Sequence, residues 1–121
     1  MIALLAALLL PGCTSPDAIA YVHDGDTVKR CDSKRLRLLT IDAPEVRGSP
    51  SCQPAKRDNH WCDYERGEQA RVELERFLAR GLPLIAYSGQ IDRYGRPLVR
   101  ISVNGIDAGE HLISLGLARR W

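Results

Sequence analysis

A chain of 121 residues is long enough for one domain and too short for two domains of ordinary size. Apolar residues make up 45% of it and charged residues 26%, which argues against a disordered or repetitive protein. The net charge of +2 is compatible with a polyanionic partner without indicating one.

The first residues have the composition of an export signal. Residues 2–10 form an unbroken apolar run, too short to span a bilayer, which needs about 20 residues. Residues 10–13, LPGC, resemble a lipoprotein box that would leave Cys13 lipidated and the protein anchored to a membrane, whereas residues 18–20, AIA, fit an ordinary cleavage site. We therefore expect a signal peptide at 1–18, a domain at 19–121, and a periplasmic, envelope-anchored or secreted protein.

Export predicts a disulfide among the cysteines, because exported proteins enter an oxidising compartment. Cys52 and Cys62 are the expected pair, across a short polar loop. A zinc site that includes His60 is the alternative, but its spacing fits no common site and lacks a fourth ligand. Cys31 is left without an obvious partner if Cys13 is lipidated.

Short strands and tight turns dominate the first part of the chain. The strands are predicted at 19–22, from Val28 onward and at 35–41. DGDT at 24–27 is predicted to be a tight turn that needs Gly25 for its backbone, and residues 32–34 form the next turn.

A long helix is predicted after a loop at 47–63. It spans residues 64–80, and Gly81 stands at its end. Its apolar side chains recur at helical spacing, at Ala70, Leu74, Phe77 and Leu78. Strands follow at 82–91 and 96–103, with Val99, Ile101 and Val103 on one face. Asp107 then begins a short helix that ends at Gly116, and residues 117–121 are predicted to be a tail.

Three strands, a helix, two strands and a short helix fit the five-stranded OB-fold barrel with helices, an α+β fold. The long helix lies between strands 3 and 4 of this arrangement, and the short helix is C-terminal.

Residues 37–45, RLLTIDAPE, place a guanidinium and two carboxylates around the end of one strand. The apolar run before Asp42 predicts a buried strand, and Pro44 ends its pairing. Arg37, Asp42 and Glu45 held this closely suit a hard cation and a phosphate. The alternative is a strand that ends in an ordinary charged turn.

Three separated motifs together resemble the staphylococcal nuclease family. They are DGDT at 24–27, RLLTIDAPE at 37–45 and DRYGR at 92–96, and GLA at 116–118 fits the same pattern. The resemblance covers nearly all of the chain from about residue 19 to residue 118. Two features differ from the staphylococcal enzyme. That enzyme lacks the cysteine pair, and its C-terminal helix has no counterpart in this sequence, which stops at residue 121.

The resemblance implies a Ca²⁺ site. In the family, the residues at Asp26 and Asp42 bind one Ca²⁺ together with the backbone carbonyl at Ala43. Asp24 and Glu45 would act through metal-bound waters.

The resemblance also implies the catalytic and substrate-binding residues. Glu45 would be the general base, and Arg37 and Arg96 would bind the scissile phosphate. Tyr94 would lie beside the phosphate, and Arg93 belongs to the same turn.

The resemblance therefore implies a Ca²⁺-dependent endonuclease that hydrolyses phosphodiester bonds in DNA or RNA. A preference for single strands is expected from the groove of an OB-fold. Export is expected from the N-terminal segment, and a monomer because the sequence carries no oligomerisation signal. A non-catalytic OB-fold module that binds nucleic acid or serves as a scaffold is the alternative. A third hypothesis is an envelope lipoprotein whose barrel binds a protein or a glycan.

Overall fold

A computed structural model describes residues 13–53 and 60–121. Residues 1–12 of the predicted signal peptide at 1–18 and the middle of the predicted loop, 54–59, lie outside the described residues. The described strands are β1 (Ile19–Asp24), β2 (Thr27–Arg30), β3 (Arg35–Leu38), β4 (Ile41–Asp42), β5 (Leu84–Ile91), β6 (Pro97–Val103), β7 (Ile106–Asp107) and β8 (Arg119–Arg120). The helices are a 3₁₀ turn (Pro50–Cys52), α1 (Tyr64–Leu78) and α2 (Ala108–Ser114).

Six of the described strands form one mixed, curled sheet: five follow the order β1-β2-β3-β6-β5, and the short β7 pairs with β6. Among the described strands, β3 and β6 alone pair in parallel, through Arg37 opposite Leu98 and Leu38 opposite Val99. This order makes the half-barrel of an OB-fold with two helices, so the predicted fold class is confirmed. The small strands β4, β7 and β8 add to the five that were predicted.

The core lies between the sheet and helix α1. Its buried apolar side chains include the predicted faces of α1 and β6: Ala70, Leu74, Phe77, Val99, Ile101 and Val103. Asp63 caps α1 by accepting from the Arg66 amide, and Asp107 caps α2 by accepting from the Glu110 amide. Helix α1 ends at Leu78, two residues earlier than predicted, and its C-cap is Ala79 rather than Gly81.

The predicted strand at 35–41 is interrupted. Thr40 has a φ of 68°, which bends the backbone away from the direction of β3. The Arg37 guanidinium stabilises the bend, because its Nη1 donates to the carbonyls of Leu38 and Ile41, each at 2.8 Å. The chain therefore turns after β3, and Asp42 lies in β4, outside the main sheet.

The predicted tail at 117–121 is a strand over part of its length. Ile41 pairs with Arg120 and Asp42 with Arg119, so β8 lies antiparallel to β4. The Trp121 amide donates to the Thr40 carbonyl at 2.9 Å and continues this contact. The prediction of a tail was wrong because a two-residue strand has too little sequence pattern to be recognised.

Gly25 is required for a different reason from the one predicted. Its φ is not in the left-handed region, so the turn itself does not demand glycine. A Cβ at this position would lie 2.7 Å from the Cβ atoms of Ala43 and Ala70. Glycine therefore allows the turn to pack directly against α1 and against the segment that follows β4.

Two disulfides are present. Cys52 is joined to Cys62 as the sequence predicts, with Cα atoms 5.8 Å apart, and Cys13 is joined to Cys31. The second bond gives Cys31 a partner that the sequence did not identify. Lipidation of Cys13 stays a prediction, and it excludes this bond, since one sulfur cannot carry a lipid thioether and a disulfide together. No helix of the described residues is long and apolar enough to span a bilayer.

Candidate active site

The turn between β1 and β2 brings two buried carboxylates together. Asp24 is only 8% exposed and Asp26 only 5%, and the Asp26 amide donates to Asp24 Oδ1 at 3.1 Å. Burial and, after it, the negative charge of Asp26 together raise the pKa of Asp24 to about 8. Two carboxyl groups therefore share a corner from which water is largely excluded, and their closeness disfavours ionisation of Asp24.

Arg37 supplies the positive charge nearest to this corner. Its Nη2 lies 3.5 Å from Asp26 Oδ2 and 3.9 Å from Asp42 Oδ1. Its other terminal nitrogen is held by the two backbone carbonyls at the bend after β3. The guanidinium is thus fixed between the two predicted metal ligands, and both carboxylates share it.

Asp42 has a second cationic partner. Arg119 Nε donates to Asp42 Oδ2 at 2.9 Å, and Arg119 Nη2 lies 2.8 Å from the same oxygen. The Arg119 guanidinium also lies 4.9 Å from the centre of the Trp61 ring. A residue of β8 therefore belongs to the site, although the sequence indicated no role for it.

Glu45 is held at both its backbone and its side chain. Its amide donates to the Trp61 carbonyl at 2.7 Å, and its Oε1 accepts from the Ser49 hydroxyl at 2.6 Å. The neighbouring Ala43 contributes its amide, which donates to Asp26 Oδ2 at 2.9 Å. The Ala43 amide thus ties the segment after β4 to Asp26, and the charge of Glu45 acts on the pKa of Asp24, so the Glu45 carboxylate lies within electrostatic range of this corner.

Arg96 reaches this corner from the turn between β5 and β6. Its Nε donates to Asp92 Oδ2 at 2.7 Å, and its Nη1 donates to Thr27 Oγ1 at 3.3 Å. The Thr27 hydroxyl in turn donates to Asp26 Oδ1 at 3.0 Å. A chain of hydrogen bonds therefore links Arg96 to the buried carboxylate of Asp26 through Thr27, which lies 69 residues before Arg96 in the sequence.

Tyr94 and Arg93 lie at the exposed edge of the site. The Tyr94 side chain is 67% exposed, and its hydroxyl accepts from Arg93 Nη2 at 2.9 Å. The guanidiniums of Arg93 and Arg96 lie 5.0 Å and 5.4 Å from the centre of the Tyr94 ring. An open aromatic ring flanked by two cations suits a base and its phosphate.

The donor chemistry of the corner fits a hard cation. Asp26 and Asp42 offer carboxylate oxygens near one point, and Ca²⁺ prefers oxygen ligands, about six to eight of them. The fit is one of ligand type, since backbone carbonyls and waters would have to complete the set. Within residues 13–53 and 60–121, no group of three or more His, Cys, Asp or Glu side chains is arranged to hold a metal ion.

A protein-family model described as "Staphylococcal nuclease homologue" matches residues 35–121. The chain belongs to this family. The match includes Arg37, Asp42, Glu45 and Arg96, and it begins after the turn that carries Asp26. No curated protein matches the chain significantly.

The structure of this staphylococcal nuclease homologue adds residues that the sequence did not single out. Asp92 and Thr27 hold Arg96, Ser49 holds Glu45, and Arg119 holds Asp42. Asp92 is the first residue of the DRYGR turn, and its Oδ1 accepts from the amides of Tyr94 and Arg96. An aspartate at the start of a turn commonly makes such bonds, so the sequence could have predicted that Asp92 contacts Arg96. No local sequence pattern predicts that Ser49 contacts Glu45 or that Arg119 contacts Asp42.

Proposed function

We propose that this protein is a Ca²⁺-dependent endonuclease that hydrolyses phosphodiester bonds of DNA or RNA. The observation that carries the proposal is the position of Arg37 between Asp26 and Asp42, with Arg96 linked to Asp26 through Thr27. Two guanidiniums and two acidic side chains thus meet at one corner of a nuclease-like domain. This charge pattern suits a phosphodiester, whose hydrolysis develops negative charge on the phosphoryl oxygens.

The two arginines would bind those oxygens. Both are already fixed in place, Arg37 by backbone carbonyls and Arg96 by Asp92, so little reorganisation is needed when the transition state forms. Fixed donors aimed at a developing charge are worth about 10²–10³ in rate each. A forked guanidinium also suits two phosphoryl oxygens better than an ammonium does.

Glu45 would take the proton from the attacking water. Its Oε1 is occupied by the Ser49 hydroxyl, which leaves Oε2 to accept that proton. Attack in line with the 5′ oxygen would then leave a 3′-phosphate on the product. Glu45→Gln should therefore keep the fold and lower turnover by orders of magnitude, and unchanged turnover would remove Glu45 from this role.

Asp26, Asp42 and the Ala43 carbonyl would hold the cation, with Asp24 reaching it through water. Ca²⁺ bound there supplies positive charge beside the phosphate. The preference for single strands rests on the exposed Tyr94 ring with its two arginines, because stacking on an aromatic ring requires an unpaired base.

The test is cleavage of heat-denatured DNA by the purified, oxidised protein in Ca²⁺, in Mg²⁺ and in EDTA. Arg96→Ala is compared with Arg100→Ala, which changes an exposed arginine on β6. We expect cleavage in Ca²⁺ that is lost in EDTA and in Arg96→Ala and is kept in Arg100→Ala. Absence of cleavage by folded protein would contradict the proposal.

One observation favours a second candidate, the non-catalytic nucleic-acid-binding or scaffold module. Both predicted metal ligands are already paired with arginines, Asp26 with Arg37 and Asp42 with Arg37 and Arg119. A barrel whose carboxylates are neutralised in this way could bind nucleic acid without a metal. Tight binding of single-stranded DNA in EDTA, with no cleavage in any metal, would support this candidate.

We further propose that the protein is exported, in keeping with its two disulfides. Cleavage after residue 18 or 20 would remove Cys13, so we place the signal-peptide cleavage before Cys13. Mass spectrometry of the mature N-terminus tests this, and a mature chain that lacks Cys13 would contradict it. A monomeric state stays a prediction.

A further inference from the structure

The Glu45 carboxylate has one side-chain hydrogen-bond partner among the contacts described, and it is Ser49. The Ser49 hydroxyl donates to Glu45 Oε1 at 2.6 Å, a short distance typical of a hydroxyl that donates to a charged carboxylate. Both side chains are partly buried, so water competes weakly for this bond. The contact therefore sets the direction in which the second carboxylate oxygen points.

The Glu45 backbone is immobilised independently of Ser49. Its amide donates to the Trp61 carbonyl, and its carbonyl lies against Gly67 of α1, where a Cβ would come within 2.2 Å of that oxygen. With the backbone fixed at both groups, the remaining freedom of Glu45 is rotation of its side chain. Ser49 is the group placed to restrict that rotation.

Ser49 is in turn held by the loop that follows it. Its hydroxyl oxygen accepts from the Ser51 amide at 3.2 Å and so caps the 3₁₀ turn Pro50–Cys52. Its carbonyl accepts from the Cys52 amide at 3.1 Å. Cys52 is bonded to Cys62, which directly follows the residue that accepts from the Glu45 amide.

The two arms of the loop are thus closed around Glu45. One arm carries Ser49 and Cys52, and the other carries Trp61 and Cys62. The disulfide joins the two arms three residues after Ser49 and one residue after Trp61. Movement of either arm would change a hydrogen bond to Glu45.

We propose that Ser49 is the positioning residue for Glu45, and that the Cys52–Cys62 disulfide keeps Ser49 in place. The Ser49 hydroxyl holds Oε1 so that Oε2 faces the attacking water in a productive direction. This inference rests on the proposed nuclease function, because Glu45 has a reaction to perform only in that case. The disulfide then contributes to turnover as well as to stability.

The experiment measures kcat and KM on single-stranded DNA for Ser49→Ala, Ser49→Thr and Ser49→Asp. Alanine removes the donor and the cap, threonine keeps both, and aspartate keeps a capping oxygen but repels Glu45. Because small misplacements of a catalytic group cost up to about 10²-fold, we expect kcat to fall about 10- to 100-fold in the alanine and aspartate variants with KM unchanged. Threonine should restore kcat to within about threefold of the original protein.

Two double variants test the disulfide against a matched control. Cys52→Ala with Cys62→Ala should lower kcat. Cys13→Ala with Cys31→Ala removes the disulfide between the segment before β1 and the residue after β2, and it should leave kcat unchanged. Assays run well below both melting temperatures, so that lost stability does not appear as lost turnover. Equal effects of the two double variants would overturn the part of the inference that concerns the disulfide.

The outcomes separate this inference from the proposed function. An active original protein with a fully active Ser49→Ala overturns the positioning role and leaves the nuclease standing. A folded original protein that does not cleave overturns both. If Ser49→Ala does not fold, the contrast between Ser49→Thr and Ser49→Asp decides, and equal kcat in those two overturns the inference.

Discussion

Arg119 forms an ion pair with Asp42. The two residues face each other in the β4–β8 pair, and the guanidinium contacts Asp42 Oδ2 through two nitrogens, at 2.9 Å and 2.8 Å. Asp42 is a proposed calcium ligand, so an internal cation occupies an oxygen that the metal would use. The last strand therefore bears on the metal site as well as on the fold.

We expect Arg119→Ala to tighten calcium binding, because Asp42 would lose a competing positive charge. Exposed ion pairs contribute up to about 1 kcal/mol, which corresponds to about fivefold in the calcium dissociation constant. Isothermal titration calorimetry in the absence of substrate measures this constant without reference to activity.

Arg120→Ala is the matched control for that measurement. Arg120 neighbours Arg119 on β8, but it pairs with Glu110 at 2.7 Å and 2.8 Å rather than with the site. Its removal should leave calcium affinity unchanged. Equal shifts in the two variants would mean that net charge, and not the Asp42 contact, controls binding.

Gly67→Ala should destabilise the protein, although alanine is favoured over glycine in most helices by about 1 kcal/mol. The new Cβ would lie 2.2 Å from the Glu45 carbonyl oxygen and 3.0 Å from that of Pro44, so the backbone of the site must shift. Overpacking of this kind typically costs about 1–3 kcal/mol. Urea denaturation gives the free energy of unfolding, and we also expect turnover to fall as Glu45 is displaced.

Gln69→Ala serves as the comparison on the same helix, because Gln69 is exposed and its replacement creates no clash. Its effect on the free energy of unfolding should be small. A Gly67→Ala variant as stable as this control would contradict the prediction, because it would mean that the backbone after β4 moves away from the new Cβ at little cost in free energy.

Removal of the Cys52–Cys62 disulfide should lower the free energy of unfolding. The two cysteines are 10 residues apart, and closing a loop of that length stabilises by about 2–3 kcal/mol in the chain-entropy model. Denaturation of Cys52→Ala with Cys62→Ala, compared with the oxidised original protein, measures the difference. Free thiols at these positions in the untreated protein, or an unchanged unfolding curve, would contradict the assignment.

Asp92 should make the stability of the protein depend on pH in the acid range. Burial opposes ionisation of this carboxyl, but the hydrogen bonds and charge of Arg96 outweigh it and hold the pKa of Asp92 below its usual value. A lowered folded pKa stabilises the protein above the unfolded pKa of about 3.9, and this contribution is lost as the pH falls through the folded pKa.

Asp92→Asn should therefore be less stable than the original protein from about pH 5 upward, and the difference should shrink as the pH falls below about 4. Melting temperatures measured between about pH 2 and pH 6 test both statements. A constant difference across this range would mean that the charge of Asp92 does not stabilise the turn that holds Arg96.

Local patterns were sufficient to predict much of the fold. The apolar spacing of Ala70, Leu74 and Phe77 predicted α1, and the Asp107 cap predicted the start of α2, because each depends on residues within one or two helical turns. The three motifs also predicted which acidic and basic residues meet. The structure brings Asp26, Asp42, Arg37 and Arg96 to one corner, while their chemical roles stay predictions.

The tertiary structure alone decided how that corner is held. Arg119 pairs with a carboxylate 77 residues earlier, and Cys13 is bonded to Cys31, 18 residues later. Gly25 and Gly67 are glycines because other segments lie too close for a Cβ. Such contacts depend on where separate segments pack, whereas sequence patterns report a residue's near neighbours. Local sequence patterns therefore determined the longer helices and strands and the charged residues of the three motifs. Packing between distant segments determined the partners of those residues and added Arg119 to the site.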